Sequence, residues 1–234
     1  METAEKNYLR AIELNPDNVD AHHNLSNLYH ERGKKNHDHG KLGTAEENYL
    51  RAIDFNPDNV DARYNLGDLY EDLQQFDKAR EQYKHLATKA DLPDAYNNWA
   101  RLLIKKEEYP QAVALLYQGL KQASKQDSVP EVKYSLYKNL GWAMFQQGRY
   151  TYAENALKAA IGIASNPDVA QYLRNRGSAH CLLAQVLQRQ KNLGAIQQWQ
   201  QCCQFGSTVN PDHDTWLLLA HKNLKEAGQS CPQP

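Results

Sequence analysis

The side chains best equipped for chemistry are nine histidines and four cysteines. His23 and His30 stand seven apart, His22 adjoins the first, and His37 and His39 flank Asp38 in a polar tract. Imidazole and carboxylate ligate zinc or nickel. Around His23, His30, His37 and His39, however, no histidine pair four apart and no cysteine completes a tetrahedral set. The four are expected as surface histidines, with no metal and no cofactor. Cys181 directly follows His180; helical neighbours point about 100° apart, so packing is expected there, not a thiol nucleophile. Cys202 and Cys203 read as small residues of a helix, at least one of them in the core. The cysteines form no CxxC and no regular framework, which points to a reducing compartment. The sequence lacks GxxxxGK[ST], GxGxxG, GxSxG and HExxH, and no enzyme is expected.

The remaining composition narrows the class. The chain has 234 residues, a formal net charge of −1, 24% charged and 41% hydrophobic side chains, and a mean hydropathy of −0.80. That is ample for a folded core and argues against wholesale disorder. No run approaches the ~20 apolar residues of a membrane span. Met1–Lys6 lacks the basic-then-apolar profile of a secretory signal, so a cytoplasmic protein without a membrane partner is expected. Residues 1–92 carry 18 acidic and 12 basic side chains, and residues 93–234 carry 10 and 15. This asymmetry is too diffuse for a nucleic-acid footprint.

Repetition organises the chain. Residues 3–21, TAEKNYLRAIELNPDNVDA, recur at 44–62 as TAEENYLRAIDFNPDNVDA, with three differences at an offset of 41. Prolines at 16, 57, 93, 130, 167 and 211 continue the rhythm, each near an Asp, Asn or Ser able to cap a following helix. Between prolines lie two stretches with apolar residues at helical spacing, such as Ala62, Leu66, Leu69, Tyr70, Leu73 and then Phe76, Ala79, Tyr83, Leu86. No stretch alternates as a strand would, so the chain is all-α. The first stretches contain His23-Asn24-Leu25-Ser26, Tyr64-Asn65-Leu66-Gly67, Asn97-Asn98-Trp99-Ala100 and Lys138-Asn139-Leu140-Gly141, whose small fourth residue allows close helix approach. The second stretches contain Ala45/Tyr49/Ala52, Ala79/Tyr83/Leu86, Ala112/Leu116/Gly119 and Ala153/Leu157/Ala160, each set on one face.

These motifs resemble the tetratricopeptide repeat, with its Leu-Gly and Tyr on helix A, Ala-aromatic-Ala on helix B and a closing Pro. The resemblance implies a right-handed α-α superhelix over residues 1–228. It would comprise a lone helix B at 1–17, repeats at 18–58, 59–92, 93–129 and 130–167, a degenerate repeat at 168–208, and a capping helix at 209–228. A flexible tail would follow at 229–234. The unpaired opening helix suggests a piece of a longer array. The first repeat exceeds the family length by seven residues, placed at 34–40; Gly33, Gly40 and Gly43 favour a loop there over extra helical turns. The degenerate repeat carries Leu183-Ala184, Ala195/Trp199/Cys202 and eight glutamines between Gln185 and Gln204, which would solvate its outer face.

Such hairpins bury their apolar faces only by stacking, and the resemblance places helices A on the concave wall. A protein or peptide partner is therefore expected in a groove lined by helix A. Asn24, Asn65, Asn98 and Asn139 would align as a ladder of carboxamides able to pair with a peptide unit's N–H and C=O; a structural bond to a neighbouring helix is the alternative. Specificity would come from His23, Asn27, Tyr64, Asp68, Asn97, Arg101, Lys138, Trp142 and Phe145. Arg101 offers a fork to an acidic group, and Trp142 and Phe145 offer apolar anchors, unless Trp142 is buried against the next helix. Co-chaperone members hold a carboxylate with two lysines that are missing here, where His23–Asn27, Asn65 and Asn97–Arg101 stand, so chaperone-tail capture is not expected. The alternative is a structural or regulatory segment of a larger protein, self-associating through exposed repeat ends or packing on its own catalytic domain.

Overall fold

A computed structural model describes residues 2–126, 128–173, 175–206 and 211–232. All their regular structure is helical, and the helices fall into two compact units, Met1–Asp91 and Leu92–Pro234. The division lies just ahead of the repeat expected at 93–129, inside what the sequence suggests is one domain.

The first unit holds α1 (Glu2–Leu14), α2 (Val19–Asp38), α3 (Leu42–Phe55), α4 (Val60–Asp72) and α5 (Phe76–Lys89). The Pro-Asp-Asn turns work through their asparagines. Asn18 Oδ1 accepts from Ala21 N and Asn59 Oδ1 from Ala62 N, each at 2.9 Å, satisfying a donor that the first helical turn leaves unpaired. The duplicated segments make the same tie twice. Tyr29 Oη donates to Glu5 at 2.6 Å and Tyr70 Oη to Glu46 at 2.9 Å. Leu25, Tyr29, Ala52 and Ala62 form a buried cluster between the hairpins, with Tyr8, Ile12, Leu28, Ile53 and Phe55 packed against it.

The expected loop at 34–40 is not there. α2 runs unbroken through Asp38, twenty residues against thirteen in α4, and only His39 and Gly40 turn. Seven residues are close to two α-helical turns, so the insertion lengthens the helix and returns the apolar stripe to the same side. Gly33 proves to be part of that stripe: a Cβ there would come 2.6 Å from the Tyr49 ring, as one on Gly67 would come 2.7 Å from the Tyr83 ring. The partner of Gly67 by packing is therefore Gly33, two turns beyond Ser26. Ser26 instead donates to Ala52 O at 2.6 Å and accepts from Asn59 Nδ2 at 2.8 Å.

The second unit holds α6 (Pro93–Lys105), α7 (Tyr109–Lys125), α8 (Pro130–Gln146), α9 (Tyr150–Ala164), α10 (Pro167–Ala170), α11 (Gly177–Arg189), α12 (Ala195–Phe205) and α13 (Pro211–Glu226). Pro93, Pro130 and Pro167 sit in first helical turns, where a missing N–H costs nothing and the ring pre-sets φ. α6 pairs with α7, α8 with α9 and α11 with α12, and α13 packs on α12 and α11. Cys181, Ala184, Trp199, Cys202, Ala220 and Leu224 form the buried cluster at its C-terminal end. All four cysteines are paired, Cys181 with Cys202 and Cys203 with Cys231. This corrects the reading of the cysteines as unbridged, while Cys181 and Cys202 are fully buried in the core as expected. Vicinal Cys202 and Cys203 do not join each other; they diverge from α12, one toward α11 and one toward the chain beyond α13. The argument from cysteine usage to a reducing compartment loses its basis. Residues 229–232, expected as a flexible tail, are held by Cys231 and by Gln200 Nε2 donating to Gln229 Oε1 at 2.8 Å; residues 233–234 lie outside the described residues.

Candidate functional site

In the first unit the helix A wall is α2 and α4. His23, Asn24 and Asn27 are exposed on α2. Asn65 of α4 is half-buried, and its Nδ2 donates to His30 Nε2 at 2.8 Å. Asn65 thus meets α2 at the level of His30, six residues past Asn24. The lengthened α2 carries Asn24 roughly 10 Å away from that level, so the two carboxamides do not stack as rungs. Tyr64 and Asp68 turn toward the hairpin partner. The Tyr64 ring lies edge-on to Tyr83 at 5.9 Å, and the single Tyr83 O–H is shared between Asp68 Oδ1 at 2.6 Å and Glu71 Oε1 at 2.9 Å. Burial first, and then these two carboxylates, push the Tyr83 phenol far above its ordinary range. His23 lines a separate cleft of about 410 Å³ at the turns, with Pro16, Val19, His22 and Phe55.

The histidines expected on the surface scatter. His37 Nε2 lies 2.8 Å from Asp72 Oδ2, and His39 Nδ1 lies 2.6 Å from Lys35 O. His23 is at the turns and His30 is engaged by Asn65.

In the second unit the carboxamides form a chain. Asn139 Nδ2 donates to Asn97 Oδ1 at 2.8 Å, and Asn97 Nδ2 donates to Asn98 Oδ1 at 3.4 Å. Asn139 is 1% exposed and Asn97 8%, whereas Asn98 is half-buried at the outer end. This corrects the expectation that Asn139 and Asn97 line a groove: they sit between helices, and burial without a partner would be costly for either amide. Arg101, Lys138 and Phe145 are half-buried. Trp142 is taken up by α13, its ring edge-on to Trp216 at 5.6 Å.

The sequence reading missed a cleft beside Phe145. About 570 Å³ in volume, it is lined by Phe145 of α8, Gln185, Gln188 and Arg189 of α11, and Lys222 and Asn223 of α13. Gln188 Nε2 donates to Asn223 Oδ1 at 2.6 Å, bridging α11 to α13. Arg189 and Lys222 are exposed. With Gln146 of α8 and Leu219 and Glu226 of α13 also in the lining, the cleft joins two apolar side chains, four carboxamides, two cations and one carboxylate on three helices. The glutamines expected on an outer face supplied a signal in Gln185 and Gln188, but their register against α13 was not readable. His180, beside Cys181, donates its Nδ1–H to Gln198 Oε1 at 2.8 Å, and burial lowers its pKa; Cys181 is in a disulfide.

Stacked helix hairpins with polar helix A faces define a repeat scaffold of the all-α solenoid class. A TPR repeat model matches residues 1–33 and 33–74, and a tetratricopeptide repeat model matches residues 97–168. Together they cover more than half the chain, which belongs to the tetratricopeptide repeat family, a family of protein-interaction scaffolds that are in general non-catalytic. No curated protein matches the chain. Among solved structures it is similar to yeast Tom70, at 17% identity and a TM-score of 0.64, over 96% of this chain and 43% of that one. It thus spans less than half the length of that relative. It is similar to PilF of Pseudomonas aeruginosa, at 19% identity and 0.66, over 88% and 87%. It is also similar to YrrB, described as a TPR protein with an unusual peptide-binding site, at 16% identity and 0.59, over 91% and 96%. At these identities the likeness is one of fold. No helix among the described residues is long and apolar enough to cross a membrane.

Proposed function

We propose that the chain is a non-catalytic scaffold that takes an extended segment of a partner protein along its helix A faces, with the cleft beside Phe145 as the main point of grip. The observation that carries this is the meeting of Phe145, four side-chain amides, Arg189 and Lys222 in one cleft, where the two cations outnumber the single carboxylate, Glu226. An apolar side chain fits against Phe145, the amides match a peptide's N–H and C=O, and the cations suit a neighbouring acidic group. Asn98 and, in the first unit, Asn24 and Asn65 serve as further backbone contacts. His23, Asn27, Tyr64, Asp68, Arg101 and Lys138 tune selectivity, while Asn97 and Asn139 act behind Asn98. Selection of peptides from a random displayed library against the full chain tests this. Peptides joining an acidic to an apolar residue should be enriched, and their affinity should fall roughly tenfold or more when Arg189→Ala is combined with Lys222→Ala. Asn65→Ala with Asn98→Ala should weaken them further. Enrichment without such a pattern, or unchanged affinity, contradicts the reading.

A second reading rests on exposed apolar residues at the start of the chain: Leu9 at 38%, Leu14 at 71% and Val19 at 76%. They offer a surface for self-association through α1 and the start of α2. Light scattering over a concentration series separates the two readings, since self-association requires mass to rise with concentration.

A further inference from the structure

Cys203 of α12, His221 of α13 and Cys231 beyond α13 converge from three segments, with two sulfurs and an imidazole nitrogen all within 4.8 Å of one another. Cys203 and Cys231 are half-buried against the C-terminal core cluster, and His221 is exposed. We propose that these three residues are a zinc site available only to the reduced protein, the Cys203–Cys231 disulfide being its closed form. Two thiolates and one imidazole are a donor set that zinc prefers, with the fourth position left to solvent on the exposed side of His221. Zn–S and Zn–N bonds of about 2.3 and 2.0–2.1 Å place tetrahedral ligands roughly 3.5–3.8 Å apart, so small movements from the observed cluster suffice once the sulfurs are no longer bonded.

The steps balance. Two molecules of a thiol reductant become one disulfide, supplying two electrons and two protons that open Cys203–Cys231 to two thiols. Zinc then replaces the two thiol protons, which leave to solvent, and the neutral His221 ring contributes a nitrogen lone pair. The same three residues therefore hold the chain beyond α13 onto α12 in either state, by a covalent bond when oxidised and by the metal when reduced. The second bridge, Cys181–Cys202, is fully buried and stands outside this cluster.

Cobalt(II) added alone to the full chain, oxidised or reduced with a trialkylphosphine, tests the proposal. The reduced protein should develop thiolate-to-cobalt charge-transfer absorption that saturates at one equivalent and is displaced by zinc, and the oxidised protein should not. His221→Ala changes an exposed side chain, so the fold is kept, and cobalt affinity should fall roughly tenfold or more. Cys203→Ser should abolish the charge-transfer absorption, and Cys181→Ser with Cys202→Ser should leave it in place. Absence of saturable absorption in the reduced wild type overturns the proposal. So does absorption that is indifferent to His221→Ala or to Cys203→Ser.

Discussion

Asn139 shows how a residue type can be right for one role and placed for another. Its carboxamide is buried and gives its N–H to Asn97 Oδ1, so truncation leaves a buried acceptor without its donor. Asn139→Ala is expected to destabilise the chain by about 1–3 kcal/mol, read as a lower urea midpoint with an unchanged m-value. Asn98→Ala, at the half-buried end of the same chain, should cost far less stability. The asparagine positions were legible in the sequence because they precede a Leu-small pair in three segments and Trp99-Ala100 in the fourth. Their exposure was not, since it depends on the neighbouring helix: Asn65 finds His30, Asn139 finds Asn97, and Asn24 finds neither. Trp142 was open to two readings in the sequence, and Trp216 of α13 decides between them.

At the scale of the element, α2 carries the main departure. Glycines at 33, 40 and 43 suggested a loop, yet Gly33 is helical because its missing Cβ admits the Tyr49 ring. Only Gly40, at φ 70°, uses a glycine's backbone freedom. The two interpretations differ sharply at Lys34, an exposed residue within α2. A loop tolerates Lys34→Pro. In a helix the ring removes a backbone hydrogen bond and clashes with the preceding turn, costing ~3 kcal/mol. The structure predicts the second outcome, measurable as a drop in urea midpoint together with lost helical circular dichroism. The helices themselves were readable from the 41-residue duplication and the proline rhythm, because each copy repeats the same caps and the same Tyr–Glu tie. The disulfides were hidden for the opposite reason: Cys181, Cys202, Cys203 and Cys231 occupy ordinary helix and tail positions, and only the pairing of α11, α12 and α13 brings them together.

For the molecule as a whole, the hairpins are pinned by tyrosines whose phenols are best kept neutral. Burial raises Tyr49 to about 12, and burial again leads in raising Tyr29, Tyr70, Tyr83 and Tyr134. In the unfolded chain these groups ionise near 10. Above that pH the unfolded state has released protons that the native state still holds, so stability is fully present below pH ~10 and is lost as pH climbs toward 12. Urea midpoints should be level up to about pH 9 and then fall, with ionisation of these five tyrosines by ultraviolet absorbance coinciding with unfolding; their ionisation near pH 10 in a still-folded chain would contradict this. Fluorescence polarisation reads binding at the cleft beside Phe145, with a labelled peptide from the displayed library titrated with wild type and with the Arg189→Glu, Lys222→Glu double variant. Affinity should fall by tenfold or more at an unchanged urea midpoint, whereas equal affinity for the two proteins would place the binding surface elsewhere.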